Sequence, residues 1–421
     1  MNRIVVPLAL LLFLPLFGLA APFLFPGKEL LATGTLSHLW NFVLGGYIAS
    51  TLALILGVGV GVFILGVGNA WIIASYDFPG KKIFEWALIL PLAVPTYVMA
   101  YLFVDLLQFS GPIQSTLRAA LGVDALWIFP DPRSLSGAIW SFSFCLFPYV
   151  YLITRTAFLE RSGRLIEVSE TLGYSPLQGF VRLVLPMARP AIFAGMALAL
   201  MEVLADFGAV SYFGVQTFAT GIFKAWLSFG DRVAAVQLAL GLLSFVLLIF
   251  FIEQSSRSKL RYASATRGKP LAKSLQGQNA FFAFAFCGVT LLCGFLIPAF
   301  ALLQLVFKQG LAIDIRYLDW LSNSLSVSIL TALISVALAI FFAYSVRMNA
   351  RLSWVNRLLG FGYALPGAVL AIGILSFLEI FQLAWWMSAS MLVLIYAYLV
   401  RFLSSSLQSV EAGLVLSLIH I

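Results

Sequence analysis

Few side chains in this sequence can do chemistry, and they fall in short stretches. Glu202 and Asp206 stand four residues apart in an apolar run. A helix there would put both carboxylates on one face. Carboxylates inside a membrane are costly and normally face a bundle interior or a wet cavity. Tyr212 follows six residues on. Carboxylate and phenol oxygens suit a hard metal ion. They also suit a cationic organic solute, a gate, or hydrogen bonding between helices, and the metal, if any, stays open. Glu85 and Glu379 read as interfacial residues. Cys145, Cys287 and Cys293 sit in apolar runs and read as small packing residues, not a disulfide framework. One of the two histidines is His420, close to the end of the chain, so no His-based cluster forms. No His-Asp, paired-Asp or Ser-His arrangement points to a membrane enzyme. No Gly-x-x-x-x-Gly-Lys-Ser/Thr is present to cradle ATP. The reading is of no catalytic and no cofactor-binding residues, so any energy must come from a partner.

A second stretch runs from Leu165 to Pro186. Leu165, Val168, Ser169 and Leu172 recur at helical spacing. Gly173 supplies a stop. Ser175 suits an N-cap, Pro176 the first helical position, and Gln178 completes a capping box. Leu177, Phe180, Val181 and Val184 form the next stripe, and Pro186 is expected to end that helix. The prediction is a two-helix elbow with apolar surface. It either docks on a partner or packs beneath its own bundle.

The elements that position these residues follow from composition. Of 421 residues, 62% are hydrophobic and 10% charged, with mean hydropathy +1.02. Soluble domains carry about 25% charged residues. A large soluble globule, a disordered chain and a disulfide scaffold are excluded. A span needs about 20 apolar residues. Ten segments qualify, at roughly 4–25, 47–75, 84–108, 135–157, 191–213, 233–252, 279–306, 322–346, 358–382 and 386–406. The first carries a passable cleavage site at Gly18-Leu19-Ala20. Its run continues to Phe25, too long for a signal peptide, so it reads as a retained helix. With the N-terminus in the cytoplasm, only Lys28, Arg118, Arg133, Lys224, Arg232, Lys308 and Arg316 fall outside, of 25 Lys and Arg. Every cytoplasmic segment is then basic, so the net charge of +8 sets orientation and does not signal nucleic acid. Trp385 and Trp386 read as an interface belt.

Residues 254–278 are polar and basic and read as a cytoplasmic linker between two bundles, 1–253 and 279–415. The bundles resemble each other. Ser50-Thr51-Leu52 matches Asn323-Ser324-Leu325, and the basic turn Asp77–Lys82 matches Arg347–Arg351. Val94-Pro95 aligns with Leu365-Pro366, Val98 and Ala100 with Val369 and Ala371, and Tyr149–Leu152 with Tyr396–Leu399. A parallel duplication is a known transporter plan.

The loop now carries a resemblance. Glu167, Gly173, Leu183, Leu185 and Pro186 occupy the fixed positions of the EAA loop of binding-protein-dependent ABC importer permeases, with Val168 and Ser169 replacing two alanines. The resemblance implies an all-α polytopic membrane protein of two tandem type I importer bundles. Glu167, Glu170, Gly173, Phe180, Leu183, Leu185 and Pro186 would couple to a cytoplasmic ATPase dimer that binds ATP. A periplasmic or extracellular solute-binding protein would deliver the solute, and Glu202, Asp206 and Tyr212 would line the path. The implied location is the bacterial inner membrane, multi-pass in lipid. Ala205–Val215 with Thr220–Trp226 resembles the ferric-iron branch. Thiamine, polyamine or phosphonate permeases are the alternatives, and a proton-coupled secondary transporter using Glu202 and Asp206 is a further one.

The resemblance also implies twelve spans and a second elbow shortly after Glu411, while the sequence printed ends at Ile421. Leu416–Ile421 matches the in-frame reading of the transposon adapter CTGTCTCTTATACACATC. The expectation is a fragment with ten helices, an incomplete second bundle and an adapter-encoded end at 416–421.

Overall fold

A computed structural model describes residues 2–24, 39–122, 131–258, 273–310, 314–360, 362–380 and 390–417. Trp385, Trp386, most of the linker and His420 lie outside this set, as do the side chains of residues 161–170.

The chain is an all-α polytopic membrane protein. Its helices are α1 (Asn2–Leu12), α2 (Leu14–Leu24), α3 (Leu44–Ser75), α4 (Lys81–Ala87), α5 (Thr96–Leu107), α6 (Pro112–Leu121), α7 (Leu135–Thr171), α8 (Pro176–Gly179) and α9 (Leu185–Ala205). Then come α10 (Gly208–Tyr212), α11 (Phe218–Phe223), α12 (Arg232–Ser258), α13 (Gly277–Leu291), α14 (Ile297–Gln309), α15 (Ile315–Met348), α16 (Ser353–Leu359), α17 (Gly367–Ile380) and α18 (Met391–Ser417). Among the described residues, seven helices are long and apolar enough to cross a membrane, and three bent pairs raise the number to ten. Each of the ten expected spans has its counterpart.

Three of those spans are broken, which their apolar runs did not announce. The first bends by 53° between Leu12 and Leu14. Pro15 lacks the N–H that would bond the Leu11 carbonyl. The Tyr396 hydroxyl donates to that oxygen instead, at 2.6 Å. The third bends by 94° between Ala93 and Thr96, and the ninth by 112° between Ala364 and Gly367. Each bend falls at a proline, Pro95 or Pro366, and a residue before proline is pushed out of the helical region. Val94 accordingly lies extended, at φ −95° and ψ 116°. Broken backbone in a membrane needs other partners. Cys145, buried as expected, donates its thiol to the Val94 carbonyl at 3.3 Å.

The contacts divide the chain into two units. One comprises Met1–Leu44, Gly221–Val246 and Leu311–Ile421; the other comprises Gly45–Thr220 and Leu247–Gly310. Each unit therefore draws helices from both sides of the basic segment 254–278. In the first unit, α2 crosses α17 at small residues. A Cβ on Gly18 would fall on the Gly373 carbonyl, and one on Gly373 on the Pro15 carbonyl. Such contacts let backbones approach where lipid supplies no hydrophobic drive. The core of this unit gathers Leu12, Phe342, Val355, Leu359, Leu403 and Leu407.

In the second unit, Asn69 of α3 is fully buried and donates to Leu65 O at 2.7 Å and to Thr290 Oγ1 of α13 at 3.2 Å. Two short parallel strands, β1 (Tyr76–Asp77) and β2 (Lys273–Ser274), pair beside them. Leu275 N donates to Asp77 O at 2.8 Å, which ties the start of α13 to the turn after α3.

Candidate functional site

The elbow forms at the end of α7, which runs on to Thr171, well past the part apolar enough to sit in a membrane. Gly173 adopts φ +75°, the left-handed conformation in which glycine has no side-chain clash. Ser175 and Gln178 then form the expected reciprocal box. Gln178 N donates to Ser175 Oγ at 3.4 Å, and Ser175 N to Gln178 Oε1 at 3.1 Å.

Beyond the box the structure departs from expectation. Pro186 does not end the second helix. A π turn, Phe180–Val184, leads directly into α9, and residues 177–205 form one continuous helix. Pro186 stands two residues past the π turn, in the opening turn of α9. The i→i+5 turn widens the helix just before it. Leu292–Leu296 does the same before Pro298 in α14.

The apolar stripe of the elbow splits into two parts. Phe180 lies tilted against Trp71, with ring centres 4.6 Å apart, and 6.2 Å from the Phe158 ring, and Val184 is buried. Leu172, Leu177 and Val181 are exposed, at 58%, 72% and 50%. Leu183 and Leu185 are half-buried and Pro186 is exposed. Part of the elbow thus packs beneath its own bundle and part is uncovered. Glu167 and Glu170 lie on the last turns of α7, and their side chains fall outside the described residues.

Glu85 of α4, expected at an interface, is ion-paired with Arg155 of α7, and Tyr151 OH donates to Glu85 O at 3.1 Å. Glu379 pairs with Arg232, both about half exposed.

The second site lies where α9 stops. Glu202 and Asp206 do not share a helical face, because the helix ends at Ala205 and Asp206 turns extended, at ψ 115°. Short acidic side chains compete with the backbone for hydrogen bonds and so end helices. Asp206 Oδ1 accepts from Ala209 N at 2.7 Å, and Oδ2 accepts from the Thr96 hydroxyl at the start of α5. Glu202, on α9, is still near enough to act on the Asp206 charge. Tyr212, at the end of α10, meets Tyr101 of α5 edge-on at 6.0 Å. The Arg133 guanidinium lies 5.4 Å from the Tyr212 ring centre. A Cβ built on Gly208 would stand 3.3 Å from Tyr97 Cβ and 3.8 Å from Asp206 Oδ1, so Tyr97 and Asp206 flank that glycine.

The structure thus gathers Asp206 and Tyr212 with Thr96, Tyr97, Tyr101 and Arg133, which the sequence reading had not singled out. The spacing of Tyr97, Tyr101 and Asp105, four residues each in an apolar run, was the available signal. Arg133 carried none. Among the described residues, no three His, Cys, Asp or Glu side chains converge to hold a metal ion. The arrangement offers scattered oxygen donors rather than a closed metal cage.

Residues 63–262 match the family described as binding-protein-dependent transport system inner membrane component. The chain is 31% identical over 384 residues to the Fe(3+)-transport system permease protein FbpB 2 of Haemophilus influenzae, covering 88% of this chain and 71% of that one. It is 31% identical over 153 residues to the sulfate transport system permease protein CysT of Escherichia coli, covering 36% of this chain and 52% of that one. With the molybdenum transport system permease protein ModB of the same organism it shares 29% over 174 residues, covering 41% and 71%.

Proposed function

We infer that this chain, which belongs to the binding-protein-dependent transport system inner membrane components, is the permease of a ferric-iron importer. As a member of that family it is a multi-pass inner-membrane transport subunit of an ABC transporter, not an enzyme, and it works with a separate ATPase and a solute-binding protein. The observation that carries the iron reading is the extent of the match to the Fe(3+) permease, 88% of this chain, against 36% and 41% for the sulfate and molybdenum permeases.

In this reading an ATPase dimer binds ATP in the cytoplasm and grips the elbow through Glu167, Glu170, Gly173, Phe180, Leu183, Leu185 and Pro186. The uncovered Leu172, Leu177 and Val181 support the docking. Arg182 lies 5.4 Å from the Tyr174 ring in the elbow, Arg155 of α7 pairs with Glu85, and Lys273 lies in β2. Positive charge of this kind favours a cytoplasmic elbow and a cytoplasmic N-terminus. Glu202, Asp206 and Tyr212 line the path. Tandem bundles at 1–253 and 279–415, joined by the linker 254–278, complete the proposal.

The test is uptake by the permease reconstituted with its ATPase and binding protein. Ferric iron should accumulate on ATP addition and continue to do so with a proton uncoupler present. Uptake of sulfate or molybdate in place of iron would overturn the solute, and loss of uptake with the uncoupler would overturn the energy source.

A further inference from the structure

Helix α5 is apolar on most of its surface, with Met99, Ala100, Leu102 and Val104 buried. One face differs. Tyr97 is 59% exposed and Tyr101 is 41% exposed, and Asp105 is half-exposed. Their four-residue spacing stacks them along one side of the helix, rising about 6 Å per step. Gln108 donates to Asp105 Oδ1 at 3.3 Å and steadies that carboxylate at the far end. At the near end, Tyr97 and Asp206 flank the bare backbone of Gly208, and Tyr212 meets Tyr101.

We propose that Tyr97, Tyr101 and Asp105 form a ladder of oxygen donors that, with Asp206 and Tyr212, selects a hard, highly charged cation over an oxyanion along the path. The proposal rests on the path reading of Asp206 and Tyr212 given above and adds the residues and the ligand class. The ladder offers hydroxyl and carboxylate oxygens without nitrogen or sulfur, the donor set of hard cations. Asp105 and Asp206 are the carboxylates of this surface; the Arg133 guanidinium lies 5.4 Å from the Tyr212 ring centre and the Arg118 guanidinium 3.8 Å from the Phe109 ring centre. A tyrosine facing lipid could serve an interface belt. An aspartate one turn further along the same face of this arm of a broken span needs water or a polar partner. Spaced donors also suit passage better than a closed cage, because a conducted ion must be held weakly enough to leave.

The test places single cysteines at Tyr97, Tyr101 and Asp105 in the intact transporter of permease, ATPase and binding protein. Cys145→Ser, Cys287→Ser and Cys293→Ser first remove the native thiols. Cationic and anionic methanethiosulfonates are the probes, and Met99→Cys on the buried face is the control. All three ladder positions should react, the cationic reagent about tenfold faster than the anionic one, and Met99→Cys should not. No reaction at the three positions, or faster reaction with the anionic reagent, overturns the ladder. Tyr97→Phe with Tyr101→Phe keeps both rings and removes only the hydroxyls, so it decides the matter if the cysteine variants fail to insert. Iron uptake should fall at least about tenfold in the double variant, and unchanged uptake overturns the proposal. Cation-selective labelling in a wild type that moves no iron would leave the ladder standing and remove the iron assignment. Iron uptake without labelling would do the reverse.

Discussion

At Pro95 and at Pro366 the chain breaks a spanning helix by the same local device. A 3-10 turn, Leu90–Ala93 or Gly362–Ala364, is followed by two residues, the second a proline, and a new helix starts at the next position. Ten residues before each proline a polar side chain ties the preceding short helix to a long one. Glu85 pairs with Arg155, and Asn356 donates to Glu411 at 2.6 Å. The chemistry just after the proline is opposite. Thr96 presents a hydroxyl to the Asp206 carboxylate. Gly367 presents nothing, and the Arg401 guanidinium lies 3.7 Å from where its Cβ would stand, 5.8 Å from the Tyr363 ring and 5.6 Å from the Phe402 ring. One break is built around an acid and its donors, the other around a cation and aromatic faces. A shared backbone device therefore does not imply a shared role, and the two breaks should respond differently to substitution.

The largest expected effect is at the acidic break. Glu202→Ala with Asp206→Ala should reduce iron uptake to background while the ATPase still co-purifies with the permease. Normal uptake by this double variant would make the carboxylates structural and remove the functional contrast between the breaks.

Thr96 sharpens the contrast. Thr96→Ala removes the donor to a charged, partly buried acceptor, a loss of about 1.5–3 kcal/mol. Thr96→Ser keeps the hydroxyl and should restore most of it. Thermal unfolding together with uptake checks this, and equal behaviour of the two variants would mean the hydroxyl plays no part.

A third substitution separates the break from the coupling end. Gly173 has open space where a Cβ would go, so Gly173→Val suffers from φ alone. Left-handed backbone costs roughly 1–2 kcal/mol for a side-chain-bearing residue, a factor of about 5–30 in the correctly turned elbow. ATPase co-purification should weaken accordingly, with membrane insertion unchanged. Normal co-purification and normal uptake would remove the elbow from the coupling machinery.

Much of this was legible because it is local. The glycine stop and the Ser175–Gln178 box depend on residues within a few positions of one another, and the structure has both. The ten spans were legible because apolar length alone defines them. The bends at Pro95 and Pro366 were not, because an apolar run looks the same on both sides of a proline, and the partner that makes the Pro95 bend tolerable is Cys145, far along the chain. Asp206 was misread as helical for the same reason. Its two acceptors are satisfied by Ala209 and by Thr96, 110 residues away, so the helix ends at Ala205, eight residues short of the end of the apolar run at 213. Tyr97 and Tyr101 were hidden among 14 tyrosines.

The smallest expected effect lies at the second break and tests the comparison most directly. Gly367 is not among the glycines with positive φ, and the atom nearest an added Cβ is Arg401 Nη1 at 3.7 Å, an ordinary contact. Gly367→Ala should therefore raise stability by about 0.4–1 kcal/mol, by narrowing the unfolded chain. Uptake should stay at the wild-type rate. The matching exchange at the first break, Thr96→Gly, removes the donor to Asp206 and should lower both stability and uptake. Thermal unfolding and uptake measured on the two variants side by side decide the point. If Gly367→Ala lowers uptake as far as Thr96→Gly does, the backbone after each proline carries the function equally, and the acid at one break and the cation at the other are incidental to it.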